Sequence, residues 1–286
     1  MSAAADRSAA ICASWTGVQA SLRFIRPQAT KPRFLSAALT GGEPEYLFES
    51  EDRVVGITDL RPFADDLSID REGFALLTRP SRVSDFYDDG QIESVYYPEI
   101  EVLLAGEYGA NRVVIFDVTR RSDAADGAAN RDGRRRPANH IHVDYTATSG
   151  PQRVLDLLGA EEAKRLAEQG GRIAQVNVWR PITGPVERSP LAVANASTIR
   201  PESLIATDQV FPNRIGEIYH LTHDPAQRWY YAPQMTTDEV LLLKGWDSRD
   251  DGRARFTPHT AFALSDTPAS ARPRESIEVR TLIIWD

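Results

Sequence analysis

From residue 172 to the end of the chain, short runs rich in Val, Ile and aromatic residues follow one another, each broken off by Pro, Gly or Asp. They fall at 172–179, 191–194, 215–221, 229–231, 239–244, 253–262 and 276–285. Many short strands separated by turn signals build a sandwich or a barrel. There is no internal repeat, and no dinucleotide-binding or phosphate-loop glycine signature. The expected fold is an all-β core of jelly-roll or cupin type with helical decoration, an α+β arrangement flanked by N-terminal helices.

The first half is mixed. Residues 1–15, rich in Ala and Ser, read as a disordered tail. Residues 16–286 read as one domain, with N-terminal helices and strands over 16–136 and the jelly-roll core over 137–286. Short strands are expected at 22–25, 46–48 and 53–58. Residues 81–104 are expected to be helical for much of their length. Ile92, Val95, Tyr96, Ile100, Leu103 and Leu104 recur at spacings of three and four, and Pro98 must kink or restart the helix. Gly106 and Gly109 are expected to end it. Residues 112–118 read as a buried strand and 123–136 as a mobile loop. Residues 152–169 form an amphipathic helix stopped by Gly170-Gly171.

Composition excludes several classes. The hydrophobic share of 42% and charged share of 26% over 286 residues are those of a globular protein with a substantial core. A formal net charge of −8 argues against a nucleic-acid binder. Cys12 is the only cysteine, so neither a disulfide framework nor a thiolate zinc site is available. The N-terminus lacks a basic segment followed by an apolar one, and no apolar run reaches membrane-spanning length. A cytoplasmic protein acting on a small molecule, with no nucleic-acid or membrane partner, is expected. The basic cluster Arg134-Arg135-Arg136 reads as a solvated loop, with recognition of an anionic substrate as the alternative.

Chemistry concentrates in Pro137-Ala138-Asn139-His140-Ile141-His142-Val143-Asp144-Tyr145. In an extended chain His142 and Asp144 share a face. An imidazole and a carboxylate so placed are two of the three ligands of a facial triad, which holds non-haem Fe(II) and leaves positions open. His259 lies in the second-last expected strand, which a jelly roll folds back beside an early one. It is the best third ligand. His220 is the alternative, and His140 is a substrate-side or outer-shell group.

Beyond His259, Arg274, Ser276, Glu278 and Arg280 alternate onto one face of the last strand. A guanidinium fork with a hydroxyl two residues on can hold a carboxylate in two places. The order His-x-Asp, His, Arg-x-Ser is the layout for chelating Fe(II) and anchoring the far carboxylate of 2-oxoglutarate, with O2 as oxidant. Arg280 and Arg180 are alternative carboxylate partners. Candidates for the substrate pocket are His140, Tyr145, Asn177, Trp179, Arg180 and Tyr219.

Four pieces carry a resemblance: His142-Val143-Asp144-Tyr145, Val176-Asn177-Val178-Trp179-Arg180-Pro181, Pro258-His259-Thr260-Ala261-Phe262 and Arg274-Glu275-Ser276-Ile277-Glu278-Val279-Arg280. With Glu72-Gly73-Phe74, Asp85-Phe86-Tyr87 and Tyr96-Tyr97-Pro98-Glu99 upstream, they resemble the family of fungal gibberellin desaturases and the cephamycin methoxylation oxygenase. That family includes hydroxylase/desaturase-like proteins of secondary-metabolite clusters. The resemblance implies a double-stranded β-helix and Fe(II)/2-oxoglutarate-dependent oxidation, with His142, Asp144 and His259 as iron ligands and Arg274 with Ser276 as the co-substrate clamp. It leaves substrate, outcome and oligomeric state open. A cupin using His140 and His142 with His259, working without 2-oxoglutarate, is the competing enzyme. A metal-free β-barrel binding module is the non-enzymatic alternative.

Overall fold

A computed structural model describes residues 16–130 and 133–286. The expected tail at 1–15 lies outside the described residues. Strands β1 (Gly17–Ile25), β2 (Arg33–Leu35), β3 (Glu45–Tyr46), β4 (Ser50–Asp59) and β5 (Phe74–Thr78) come first. Helix α1 (Tyr97–Tyr108) then leads to β6 (Arg112–Ser122) and a small hairpin of β7 (Ala128–Asn130) and β8 (Gly133–Arg135). After β9 (His142–Val143) come α2 (Ser149–Leu158) and α3 (Ala160–Glu168). The remaining strands are β10 (Arg172–Pro181), β11 (Leu191–Ala194), β12 (Leu204–Val210) and β13 (Ile215–Leu221). They are followed by β14 (Trp229–Tyr231), β15 (Glu239–Asp247), β16 (His259–Ala261) and β17 (Glu275–Trp285).

Ten strands form the larger sheet, in the order β1-β4-β14-β11-β16-β9-β13-β12-β2-β3, and five the smaller, β5-β15-β10-β17-β6. This is the expected jelly-roll architecture with few helices. Strands from before residue 137 sit in both sheets, so the core is not confined to 137–286. The reason is register: β1 and β4 pair along nine residues, and β6 is bonded along most of β17.

The place of β10 and β15 inside the smaller sheet explains why they are buried along nearly their whole length. One face, with Val176, Val178, Val240, Leu242, Ile277 and Val279, packs against Ile100, Leu103 and Leu104 of α1. The other face looks across to the larger sheet and changes character along its length. Trp179, Leu241 and Leu243 pack with Leu191 and Val193 at one end. Ile173, Leu282 and Ile284 pack with Val154 and Leu166 of the helices at the other. Between these plugs the inward residues are buried and polar: Gln175, Asn177, Ser276 and Glu278. Burying polar groups between two apolar plugs is costly unless they are bonded, and this places the site.

Several expectations are corrected. Residues 81–88 are not helical, because Glu99 accepts from Ser81 Oγ and the Arg82 amide, and Gln91 Oε1 takes the Ser84 amide. Helix begins where Asp88 caps Gly90 and Gln91. It widens into a π-type turn over Ile92–Tyr96 and restarts as α1, with Pro98 in its first turn. Gly106 lies inside α1; Gly109, at φ 62°, ends it. The strand at 112–118 runs on to Ser122 and is only half-buried at first, being a sheet edge. The expected loop at 123–136 contains the β7–β8 hairpin. The helix at 152–169 is two helices divided at Gly159, whose φ is 80°. Of 253–262 only β16 pairs, since Arg253 and Arg255 turn their side chains onto Asp251 and Asp250. Strands β2 and β12 were not expected; both lie in the outer part of the larger sheet.

Gly73 ties the smaller sheet to the strand carrying His259. Its carbonyl accepts from the Lys244 amide and from Thr257 Oγ1, both at 2.8 Å. With φ at 90°, a Cβ there would overlap Thr257 Oγ1. Gly73→Ala is expected to cost about 2 kcal/mol or more, read as a lower denaturant midpoint in equilibrium unfolding.

Candidate metal centre

Strand β9 is two residues long and lies between β16 and β13, with His142 opposite both His259 and His220. Asp144 follows one residue after the strand. The ligand atoms of His142, Asp144 and His259 all lie within 4.8 Å of one another. His142 Nε2 is 3.9 Å from Asp144 Oδ1, and the two imidazole centroids are 4.5 Å apart. His220 and His140 lie outside this cluster. His220 is ringed by Phe34, Tyr46 and Phe48, and His140 stacks on Tyr46 at 3.7 Å.

Both histidines of the cluster are oriented alike. His142 Nδ1 is 2.9 Å from the His140 carbonyl, and His259 Nδ1 is 3.0 Å from the Thr257 carbonyl. A carbonyl only accepts, so the proton is fixed on Nδ1 and the Nε2 lone pair is free for a metal. Burial, reinforced by His259, pushes His142 down to about 3, so it is neutral. His140 is pushed to about 4 by burial and by Arg23. Burial works against ionisation of Asp144, but the adjacent Arg280 guanidinium overrides it and holds the carboxyl well below its usual range. Two imidazole nitrogens and one carboxylate suit a hard-to-borderline divalent ion.

Asp144 is held from the smaller sheet. Arg280 Nε is 3.1 Å from Asp144 Oδ2, and Asn177 Nδ2 donates to the same oxygen at 2.6 Å. Gln175 Nε2 donates in turn to Asn177 Oδ1. Asn177, expected to line the substrate pocket, instead orients the carboxylate. Arg280, expected beside a co-substrate, is committed to Asp144, Asp117 and Glu278.

Arg274 differs. Its guanidinium is buried, donates to the Ser189 carbonyl at 2.8 Å, and lies 5.6 Å from the Trp179 ring. Its Nε is buried with no partner among the described residues. Burial lowers its pKa to about 10, leaving it cationic. A buried cation with an unspent donor fits a carboxylate that is not part of the chain. Ser276 lies on the same strand face, and Arg121 on β6 stands in register opposite it.

Three pocket candidates point elsewhere. Arg180 is on the opposite face of β10, bonded to Tyr96 Oη and to the carbonyls of Thr237 and Arg79. Tyr219 turns away from His220, its hydroxyl accepting from the Ala147 amide and its ring against Phe256. Trp179 sits in the apolar plug. Tyr145 and His140 do line the cavity beside the cluster, whose volume is about 1460 Å³. Gln175 was readable, since it alternates with Asn177; the aromatic wall of Phe34 and Tyr46 had no local signal.

Comparison with known proteins gives a consistent answer. A family profile described as oxidoreductase/YMDC permease-like domain matches residues 22–284. The hydroxylase/desaturase efuI of Hormonema carpetanum is 34% identical over 253 residues, 81% of this chain and 83% of that one. The Fe(II)/2-oxoglutarate-dependent dioxygenase nvfI of Aspergillus novofumigatus is 29% identical over 94% of this chain and 98% of its own. The chain belongs to the Fe(II)/2-oxoglutarate-dependent oxygenase family. A solved structure of the iron and alpha-ketoglutarate-dependent endoperoxidase NvfI superposes on this oxygenase with a TM-score of 0.82 at 28% identity. It covers 94% of this chain and 98% of that one. Among the described residues of the oxygenase, no helix is long and apolar enough to cross a membrane.

Proposed function

We propose that this oxygenase hydroxylates or desaturates a small, natural-product-like molecule at the cavity beside His142, Asp144 and His259. Those three residues hold Fe(II), and Arg274 with Ser276 anchors the far carboxylate of 2-oxoglutarate. The observation that carries the reading is the pair of histidines with both Nδ1 atoms tied to backbone carbonyls and their ligand atoms within 4.8 Å of each other and of the Asp144 carboxylate. When bound, iron and 2-oxoglutarate supply with O2 the oxidising power to break an unactivated C–H bond.

The chain's share is positioning. The His140 and Thr257 carbonyls fix the imidazoles, while Arg280 reaches both oxygens of Asp144, at 3.1 and 3.4 Å, and Asn177 donates to Oδ2. The plugs around Trp179 and Leu282 bound the site with apolar side chains at its two ends. His140 stacked on Tyr46 cannot join His142 as a ligand without leaving that ring, which speaks against the cupin alternative. A cytoplasmic location and independence of nucleic acid complete the reading. Its test is succinate released from 2-oxoglutarate under Fe(II), ascorbate and O2, which uncoupled turnover yields without the true substrate. Protein that takes up iron yet neither consumes nor binds 2-oxoglutarate would contradict it.

A further inference from the structure

The cavity's charges divide unequally between spent and unspent groups. Its carboxylates are occupied: Asp117 and Asp144 by Arg280, Asp123 by Arg188, Asp208 and Glu217 by Lys31, and Glu43 by Arg136. Asp156 accepts from the Gln152 amide. Of the basic cluster before β9, Arg136 is paired with Glu43 and bonded to the Ala125 carbonyl, and Arg135 has interactions of its own, while the Arg134 side chain lies outside the described residues. Three other arginines of the lining have no carboxylate partner among the described residues: Arg121, Arg153 and Arg214. Iron and 2-oxoglutarate carry opposite and equal charges, so loading the site does not by itself neutralise these three guanidiniums. Arg121, opposite Ser276 in register, belongs to the co-substrate end. Arg153 and Arg214 remain.

These two are built alike. The Arg153 guanidinium lies 5.6 Å from the Phe116 ring centroid, beside the Tyr145 hydroxyl, on helix α2. That of Arg214 lies 3.9 Å from the Phe211 centroid, in the turn between β12 and β13, the strand against which α2 packs. A guanidinium lying on a ring is dry on one face, while its edge donors stay in the plane; Arg153 spends one on the Tyr145 hydroxyl and keeps the others for a carboxylate. The same rings offer a flat surface to the body of the molecule that carries the acid. We propose, resting on the oxygenase reading, that the substrate is a flat, unsaturated carboxylic acid, or an equally acidic enol or phenol. Its anion is taken by Arg153, with Arg214 guiding it at the rim.

The test uses full-length protein loaded with Mn(II) and saturating 2-oxoglutarate, titrated calorimetrically with naphthalene-2-carboxylate and its neutral carboxamide. Anthracene-2-carboxylate and its amide serve as a larger pair. Wild type is expected to bind an acid at least about tenfold more tightly than its amide. Arg153→Gln is expected to bring the two within about twofold while leaving amide and 2-oxoglutarate affinities unchanged. Arg153→Lys keeps the charge and should retain part of the preference, which separates charge recognition from damage to α2. Equal binding of acid and amide by wild type, no uptake of either acid, or a preference that survives Arg153→Gln with Arg214→Gln would overturn the proposal. If 2-oxoglutarate itself fails to bind the Mn(II) protein, the oxygenase reading falls instead.

Discussion

Asp144→Ala is expected to purify with less than about one hundredth of the wild-type affinity for Fe(II), beyond what loss of an outer-shell partner costs. 2-Oxoglutarate turnover should fall in step. The carboxylate is the single anionic donor of the cluster, and Arg280 and Asn177 keep it ionised and aimed. With it gone, two imidazoles face a dication and Arg280 is left nearby. The fold should survive, because Arg280 still pairs with Asp117 and Glu278 and the apolar plugs at both ends are untouched. A thermal melt within a few degrees of wild type, alongside absent iron in elemental analysis, is the expected pair of results. Iron retained at wild-type stoichiometry by Asp144→Ala would show that the metal sits elsewhere.

Arg274→Ala is expected to raise the KM for 2-oxoglutarate about a hundredfold, the order lost with two charge-assisted hydrogen bonds. The maximal rate should recover at high co-substrate. The effect arises because Arg274 is buried with one backbone acceptor and one donor nitrogen unused, so its binding capacity is held for something outside the chain. Arg180→Ala provides the contrast. Its donors are already taken by Tyr96 and two carbonyls on the far side of the sheet. That variant should lose stability while keeping the KM for 2-oxoglutarate within about twofold. If Arg180→Ala raised KM and Arg274→Ala did not, the clamp would have been assigned to the wrong face of the smaller sheet.

The chemistry was legible in the sequence wherever it depended on strand alternation. His142 and Asp144 share a side because residues two apart in extended chain do, and Arg274, Ser276, Glu278 and Arg280 share a face for the same reason. The period of two told residues on a strand apart, but not which of the two faces is inward. Asn177 and Arg180 were both offered to the pocket, and only the packing of Val176 and Val178 on α1 shows that Arg180 lies with them, away from the site.

By itself the sequence determined the strand-rich character of the second half, the identity of the three candidate ligands and the absence of thiolate chemistry. Only the tertiary structure decided which neighbours each charge meets. Arg280 in β17 and Arg274 just before it, six residues apart, look interchangeable as cations. One lands opposite three carboxylates and is spent; the other lands against Trp179 and a single carbonyl, with a donor to spare. Apart from Glu278, two residues from Arg280, the partners come from strands and loops far away in the chain, and in a buried site it is those partners that fix what a charge can do.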